Sequence, residues 1–341
     1  MMTTVLSTSR LLDRYRSRRI SILTRSSFEE RWVKCINSLS SLNISTFTVF
    51  CSEVKSLETL KTFEDLDHRL LAIMSEITLP AGGNAEAYGI IRGAVERAFE
   101  VGVDGTVLID VSSFKRDELL IVLSILGEIH PSYRKINCEL LYLEASEMSD
   151  DWLSRNTLNV RTVLGYSGDP RQSKKTCVVV MVGHELIRAK DIIDAYEPSK
   201  VMIGKGIKAE SINPELYSRN EQFYRELKSY YGSSCEEFEF SLLDPIKVKN
   251  TLKSLCGNSQ YNYVVAPLNN KISCIGAGLF ALENQDIQIG YSDVLEYNRK
   301  SYSVPGSNVH ILSVNEILWV DQKGGVVATP SEEAPSLELE I

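Results

Sequence analysis

Short runs rich in Val and Ile alternate with longer stretches of helical period along nearly the whole chain, and this alternation restricts the fold more than any other feature. Apolar runs of that length are strands buried on both faces, the kind found in parallel sheets. Neighbouring parallel strands need a long crossover between them, which the helical stretches supply. The first half predicts strands at 20–24, 46–51, 77–79, 106–110 and 139–144, with helices at 28–42, 57–75, 85–101 and 115–129. The pattern then restarts. Strands are expected at 177–182, 200–203, 237–242, 263–266, 287–291 and 309–314, and helices at 185–196, 214–231, 245–255 and 271–282.

The expected fold class is therefore α/β, with two tandem Rossmann-like units built on mostly parallel sheets. The units span 20–152 and 176–320. Residues 153–175 have no clear period and contain Gly165, Gly168 and Pro170, so they read as the linker. Residues 321–341 form an acidic tail with Pro330 and Pro335, a composition typical of disorder. Helix starts carry suitable chemistry: Asn213-Pro214 and Asp244-Pro245 each place a cap residue before proline at the first helical position. Ser27 with Glu30 reads as a capping box. Helix 115–129 is apolar almost all round, through Leu119, Leu120, Val122, Leu123, Ile125 and Leu126, so deep burial is expected.

The length of 341 residues suits two ordinary domains. A net charge of -8 argues against a broad nucleic-acid surface, yet leaves room for a small basic pocket holding one anion. The seven cysteines (35, 51, 138, 177, 235, 256 and 274) are widely spaced and contain no C-x-x-C pair. Buried reduced thiols, with no structural metal, disulfide or cofactor, are expected. No apolar run is long enough for a membrane span. Residues 1–19, Ser- and Arg-rich with Asp13 as their one acid, read as a basic lead-in to the first strand rather than a transit peptide. The expected location is the cytoplasm.

In parallel open sheets, ligands bind outside the carboxyl ends of the strands, where free N–H groups at helix N-termini favour anions. Ser112, Ser113, Lys115 and Arg116 follow one strand, and Asn269, Asn270 and Lys271 follow its counterpart in the second unit. These stretches repeat a plan of buried strand, small polar turn, lysine and apolar helix, with the lysines offset by one residue. Hydroxyls, amides and cations suit a phosphate or base; plain helix capping is the alternative. His184, after Val182 and Gly183, suits binding or acid–base work, or a cap. Gly204, Lys205 and Gly206 allow close backbone approach to a ligand, or form an ordinary turn. The Tyr297-Asn298 and 302–306 segments offer rings that could stack on a nucleobase. Neither a G-x-G-x-x-G fingerprint nor a P-loop, G-x-S-x-G elbow or H-E-x-x-H helix occurs, so no reaction is specified.

The strand–polar turn–Lys–helix element and its recurrence resemble CARF domains, the Rossmann-like sensors of prokaryotic defence. Asn269-Asn270-Lys271 carries the likeness best, and Ser112-Ser113-Phe114-Lys115 next. The family's glycine-threonine turn is Asn269-Asn270 here. The resemblance implies a sensor or regulatory subunit for a nucleotide-like anion in a defence or stress system. It also implies a protein partner, as an effector or complex subunit, and is compatible with an oligomer. The alternatives are a phosphodiesterase acting on such a nucleotide and a structural subunit of a defence complex.

Overall fold

The structure is a computed structural model that describes residues 3–81, 85–102, 105–232 and 235–319. The acidic tail at 321–341 lies outside the described residues. The strands are β1 (Thr3–Ser7), β2 (Arg19–Arg25), β3 (Asn43–Ser52), β4 (Met74–Leu79), β5 (Thr106–Asp110), β6 (Asn137–Met148) and β7 (Ser154–Thr162). They continue as β8 (Lys175–Met181), β9 (Lys200–Gly206), β10 (Glu236–Phe240), β11 (Tyr261–Pro267), β12 (Gln288–Tyr297) and β13 (Ser303–Ser313). They form one sheet in the order β1-β13-β6-β5-β2-β3-β4 and another in the order β10-β9-β8-β11-β12-β7.

Each sheet has a parallel core of five strands in the same winding order, β4-β3-β2-β5-β6 and β10-β9-β8-β11-β12. The tandem Rossmann-like plan is thus present. The edges depart from a simple tandem, because the units exchange strands. After β6 the chain crosses over, and β7 joins the second sheet antiparallel to β12. After β12 it crosses back, and β13 joins the first sheet antiparallel to β6. The segment 153–175, read as a linker, therefore holds an edge strand, and β13, placed with the second unit, belongs to the first sheet. The lead-in also differs: β1 pairs with β13, and a short helix, Leu11–Tyr15, follows. Tyr15 and Arg14 of that helix bind buried Glu139 of β6, which ties the N-terminal segment down.

Side-chain alternation explains the layers. Cys177, Val179 and Met181 of β8 point into a core that also takes Val107 and Ile109 of β5. Val178 and Val180 face the opposite way, onto helix Leu186–Tyr196 through Ile192 and Ile193. Trp32 and Ile36 of helix Arg31–Asn37 cover the outer face of the first sheet. Helices Arg116–Glu128 and Lys271–Glu283 pack on each other between the sheets, in the core shared by both units. A Cβ on Gly278 would lie 2.8 Å from Leu120 Cδ2, which shows how closely the pair approaches. This contact is why both helices are apolar nearly all round.

Local readings hold at Asn213 and Asp244, whose side chains accept N–H bonds in the first turns that follow. The capping box does not form. Ser27 Oγ accepts from Glu29 N at 3.2 Å, and the helix begins later, with Glu30 at the N-cap position and no side-chain cap. The 57–75 stretch breaks into Leu57–Glu64 and His68–Leu71, because Asp67 caps the second piece through Arg69 N, and β4 begins at Met74. Among the described residues, no helix is long and apolar enough to cross a membrane.

Candidate functional site

The two central helices start side by side, and their first turns interlock. Lys115 is the N-cap of helix Arg116–Glu128, and Asn270 is the N-cap of helix Lys271–Glu283. The counterpart of Lys271 is therefore Arg116, and that of Lys115 is Asn270; this is the origin of the one-residue offset between the lysines. Each first-position cation reaches across to the carbonyl two residues before the other helix begins. Arg116 donates to Asn269 O at 2.9 and 3.2 Å and to Leu268 O at 2.8 Å. Lys271 Nζ donates to Phe114 O. The exchange fixes the two strand-end turns against each other, with both helix N-termini opening on one space.

A second pair of devices repeats across the same pseudo-two-fold relation. After β2, Arg31 binds Glu29 at 2.5 and 2.9 Å, lies 6.0 Å from the Tyr142 ring centre and donates to Leu143 O at 3.4 Å. After β8, Arg188 binds Glu185 at 3.1 and 3.2 Å, lies 4.9 Å from the Tyr291 ring centre and donates to Ser292 O at 2.6 Å. Glu185 is shared with Arg116 at 3.0 Å and also accepts from Ser154 Oγ. Burial alone would raise the Glu185 carboxyl, but Arg188 and Arg116 outweigh it and hold its pKa at about 2.

Arg116, Lys271, Glu29, Arg31, Tyr142, Arg188 and Tyr291 line a cleft of about 390 Å³ between the units, at the carboxyl ends of both parallel cores, with Glu185 behind its wall. The crossovers between β6 and β7 and between β12 and β13 border it and are tied together, with Ser149 N bonded to Tyr302 O at 3.1 Å and Asn298 N to Leu153 O at 2.9 Å. Tyr297 and Tyr302 from these segments cluster with Phe28, their ring centres 5.5–6.3 Å apart, so the tyrosines singled out for stacking do reach the cleft.

Cations outnumber carboxylates in the lining. Seven basic residues face three glutamates, on a chain whose net charge is -8. Glu29 pairs with Arg31, Glu118 behind the wall pairs with Arg25 at 3.2 Å, and Glu185 serves both Arg116 and Arg188. Glu144 binds His310 at 3.0 Å. Among the described residues, Lys115, Lys271 and Arg299 line the cleft without a carboxylate at ion-pair distance. Burial, helped by Arg116, pulls the Lys271 pKa down to about 8. An anion in the cleft would relieve that penalty. His184 is also pushed down by burial, with Arg219 adding to it, to about 4, so its ring is neutral at pH 7. Its Nδ1 is buried with no hydrogen-bond partner among the described residues.

Of the residues singled out from sequence, Ser113, Lys115, Arg116, His184, Gly206, Asn269, Asn270 and Lys271 come together in this cleft. Ser112, Gly204 and Lys205 do not. Ser112 Oγ is spent on Asp110 at 2.5 Å and on Leu143 N at 2.8 Å, bracing the strand ends. Gly204 admits the Phe238 ring, which would lie 2.3 Å from a Cβ there, so the close approach is to a side chain of the fold. Lys205 lies 3.8 Å from Glu239 and 4.0 Å from Glu221, away from the cleft. Helix capping accounts for Asn270, whose Oδ1 accepts from Ser273 N at 2.9 Å. The Asn269 amide donates to Val182 O at 2.5 Å.

Sequence reasoning missed Arg25, Arg31, Glu185 and Arg188. A signal existed: an acid followed two or three residues later by arginine, just after the first parallel strand of each unit. Cysteines 35, 51, 138, 177 and 274 are buried thiols. Among the described residues, no group of three or more His, Cys, Asp or Glu side chains is placed to hold a metal ion.

No family model and no curated protein matches the chain. Among solved structures it is similar to the cytoplasmic domain of a prokaryotic cation chloride cotransporter, at 8% identity and a TM-score of 0.24, over 80% of this chain and 95% of that one. So low a TM-score carries no argument about either fold or function.

Proposed function

We propose that the chain is a ligand-binding sensor or regulatory subunit that takes a nucleotide-like anion in the cleft between its two units. One observation carries this reading: two helix N-termini converge on a space whose lining has three cations without carboxylate partners. Helix N-termini and cations without an ion-pair contact both favour negative charge, and most strongly where water is partly excluded. The tyrosines of the crossovers supply faces for a base. A place in a cytoplasmic defence or stress system, acting on a protein partner, follows only from the CARF resemblance.

Titration calorimetry with AMP, ATP, cyclic di-AMP and cyclic tri-AMP, followed by chromatography of the recovered nucleotide, tests the reading. Saturable binding with the nucleotide recovered intact supports a sensor. Cleavage would replace it with the phosphodiesterase alternative, in which His184, with its pKa of about 4, is a poor base at neutral pH. Indifference to every anion would overturn both.

A further inference from the structure

The pseudo-two-fold order of the cleft fails in the chemistry of its walls. On the side of the first unit the lining carries six small hydroxyl residues, Ser26, Ser27, Ser52, Ser56, Thr59 and Ser113, beside the apolar Phe28, Val54, Phe114 and Met148. The second unit contributes one serine, Ser211, and sets Ile212, Leu216, Tyr217, Leu242, Leu243 and Leu268 beside the polar His184, Glu210, Asn220 and Asn269. Corresponding positions make the contrast concrete. Ser113 and Leu268 each lie three residues before the first helical position, and the N-caps are Lys115 on one side and Asn270 on the other. Lys115 is exposed and lacks a carboxylate at ion-pair distance among the described residues, whereas the Asn270 amide is spent on Leu242 O and Ser273 N. Lys271 adds its charge to the hydroxyl side, because its Nζ reaches across to Phe114 O.

Ser26 donates to Phe50 O and Ser113 to Arg25 O, but two other hydroxyls on that side can still donate. Ser27 Oγ accepts from Glu29 N and Ser52 Oγ accepts from Arg25, which leaves each hydroxyl hydrogen available to an anion. On the opposite wall Ile212 is 47% exposed and Leu243 39%, apolar surface that gains by being covered. The cleft volume of about 390 Å³ is at the small end of ligand pockets, which run from roughly 300 to 1,000 Å³. That is room for one phosphate and one ring system.

We propose that the cleft takes a lopsided ligand: a small phosphomonoester whose anion lies on the hydroxyl wall beside Lys115 and Lys271, and whose apolar or aromatic ring lies on the Leu216–Tyr217–Leu268 wall. This rests on the anion-binding reading above and narrows it to the mononucleotide class, as opposed to a symmetric ligand with two equivalent phosphates.

Calorimetry on the full chain with AMP, ribose 5-phosphate, adenosine and cyclic di-AMP tests it, with thermal melts to confirm that each variant folds. AMP should bind more tightly than either fragment and more tightly than cyclic di-AMP. Lys115→Gln should weaken AMP and ribose 5-phosphate by roughly tenfold and leave adenosine unchanged. Tyr217→Ser should weaken AMP and adenosine and leave ribose 5-phosphate unchanged. Both variants weakening all probes alike, or cyclic di-AMP binding more tightly than AMP, would overturn the lopsided seat while leaving anion binding in place. If neither AMP, ribose 5-phosphate nor cyclic di-AMP binds the wild type, the anion reading falls and this inference falls with it.

Discussion

Replacing Lys271 by methionine keeps the length and packing of the side chain and removes its charge. In the folded protein this ammonium has a backbone carbonyl, Phe114 O, as its hydrogen-bond partner, and its pKa drops from 10.5 to about 8 under burial and the field of Arg116. Below pH 8 the folded and unfolded chains both carry the proton, so the cost of the buried charge is fully present. Between about pH 8 and 10.5 the folded chain releases the proton and the unfolded chain keeps it, so wild-type stability rises with pH. The drop corresponds to at most about 3 kcal/mol. The lysine is only half-buried at the cleft wall, and solvent screening reduces the figure to about 1–2 kcal/mol. Lys271→Met lacks this gain. Urea denaturation of both proteins between pH 7 and 10 should show the variant losing ground to the wild type by that amount as pH rises. Parallel curves would refute the burial of an uncompensated charge at this point. The same linkage predicts that an anionic ligand raises the Lys271 pKa, so binding near pH 8.5 takes up a proton, measurable by calorimetry in buffers of different ionisation enthalpy.

Other perturbations follow from the same geometry. Glu185→Gln leaves Arg116 and Arg188 without their shared carboxylate and should cost about 3–5 kcal/mol by chemical denaturation. Because the Glu185 pKa falls from 4.5 to about 2 on folding, its contribution is present above pH 4.5 and lost as pH falls towards 2, so the variant should lack that part of acid sensitivity. Gly183→Ala would set a Cβ 1.9 Å from the backbone oxygen of Leu268, and a cost of about 3 kcal/mol or more is expected in the denaturation midpoint. Gly278→Ala meets the ends of the Leu120 and Leu123 side chains at 2.8 and 3.0 Å, which can turn aside, so about 1 kcal/mol is expected; a larger loss there than at Gly183 would contradict the placement of the two sites.

The inner strands of both parallel cores were legible because burial on two faces leaves continuous Val and Ile runs, such as Cys177–Met181, that nothing local contradicts. The exchanged edges were not. Strand β7, SRNTLNVRT, is largely exposed and polar, and it is a strand because β12 offers it an edge. That β13 belongs to the first sheet is a property of the crossover, which no residue within it announces. At the site, the small polar turns and the helix-start cations were readable from position alone. Arg25 was not, since an arginine ending an apolar strand looks like surface until its partners Glu118 and Ser52 are in place. Gly204 misled for a related reason: a glycine at a strand end has the same letter whether a ligand or a phenylalanine ring fills the space.

The central claim is that one ligand is held by both units at once, where helices Arg116–Glu128 and Lys271–Glu283 begin. Hydrogen–deuterium exchange on the full chain, with and without saturating amounts of the tightest-binding nucleotide of the panel, tests it most directly. The account predicts protection in both strand-end turns together, around 113–118 and 268–273, and in the crossover near 297–302, with the C-terminal half of helix Pro245–Leu255, which is away from the cleft, unchanged. Protection confined to one unit, or lying away from the cleft, would contradict it.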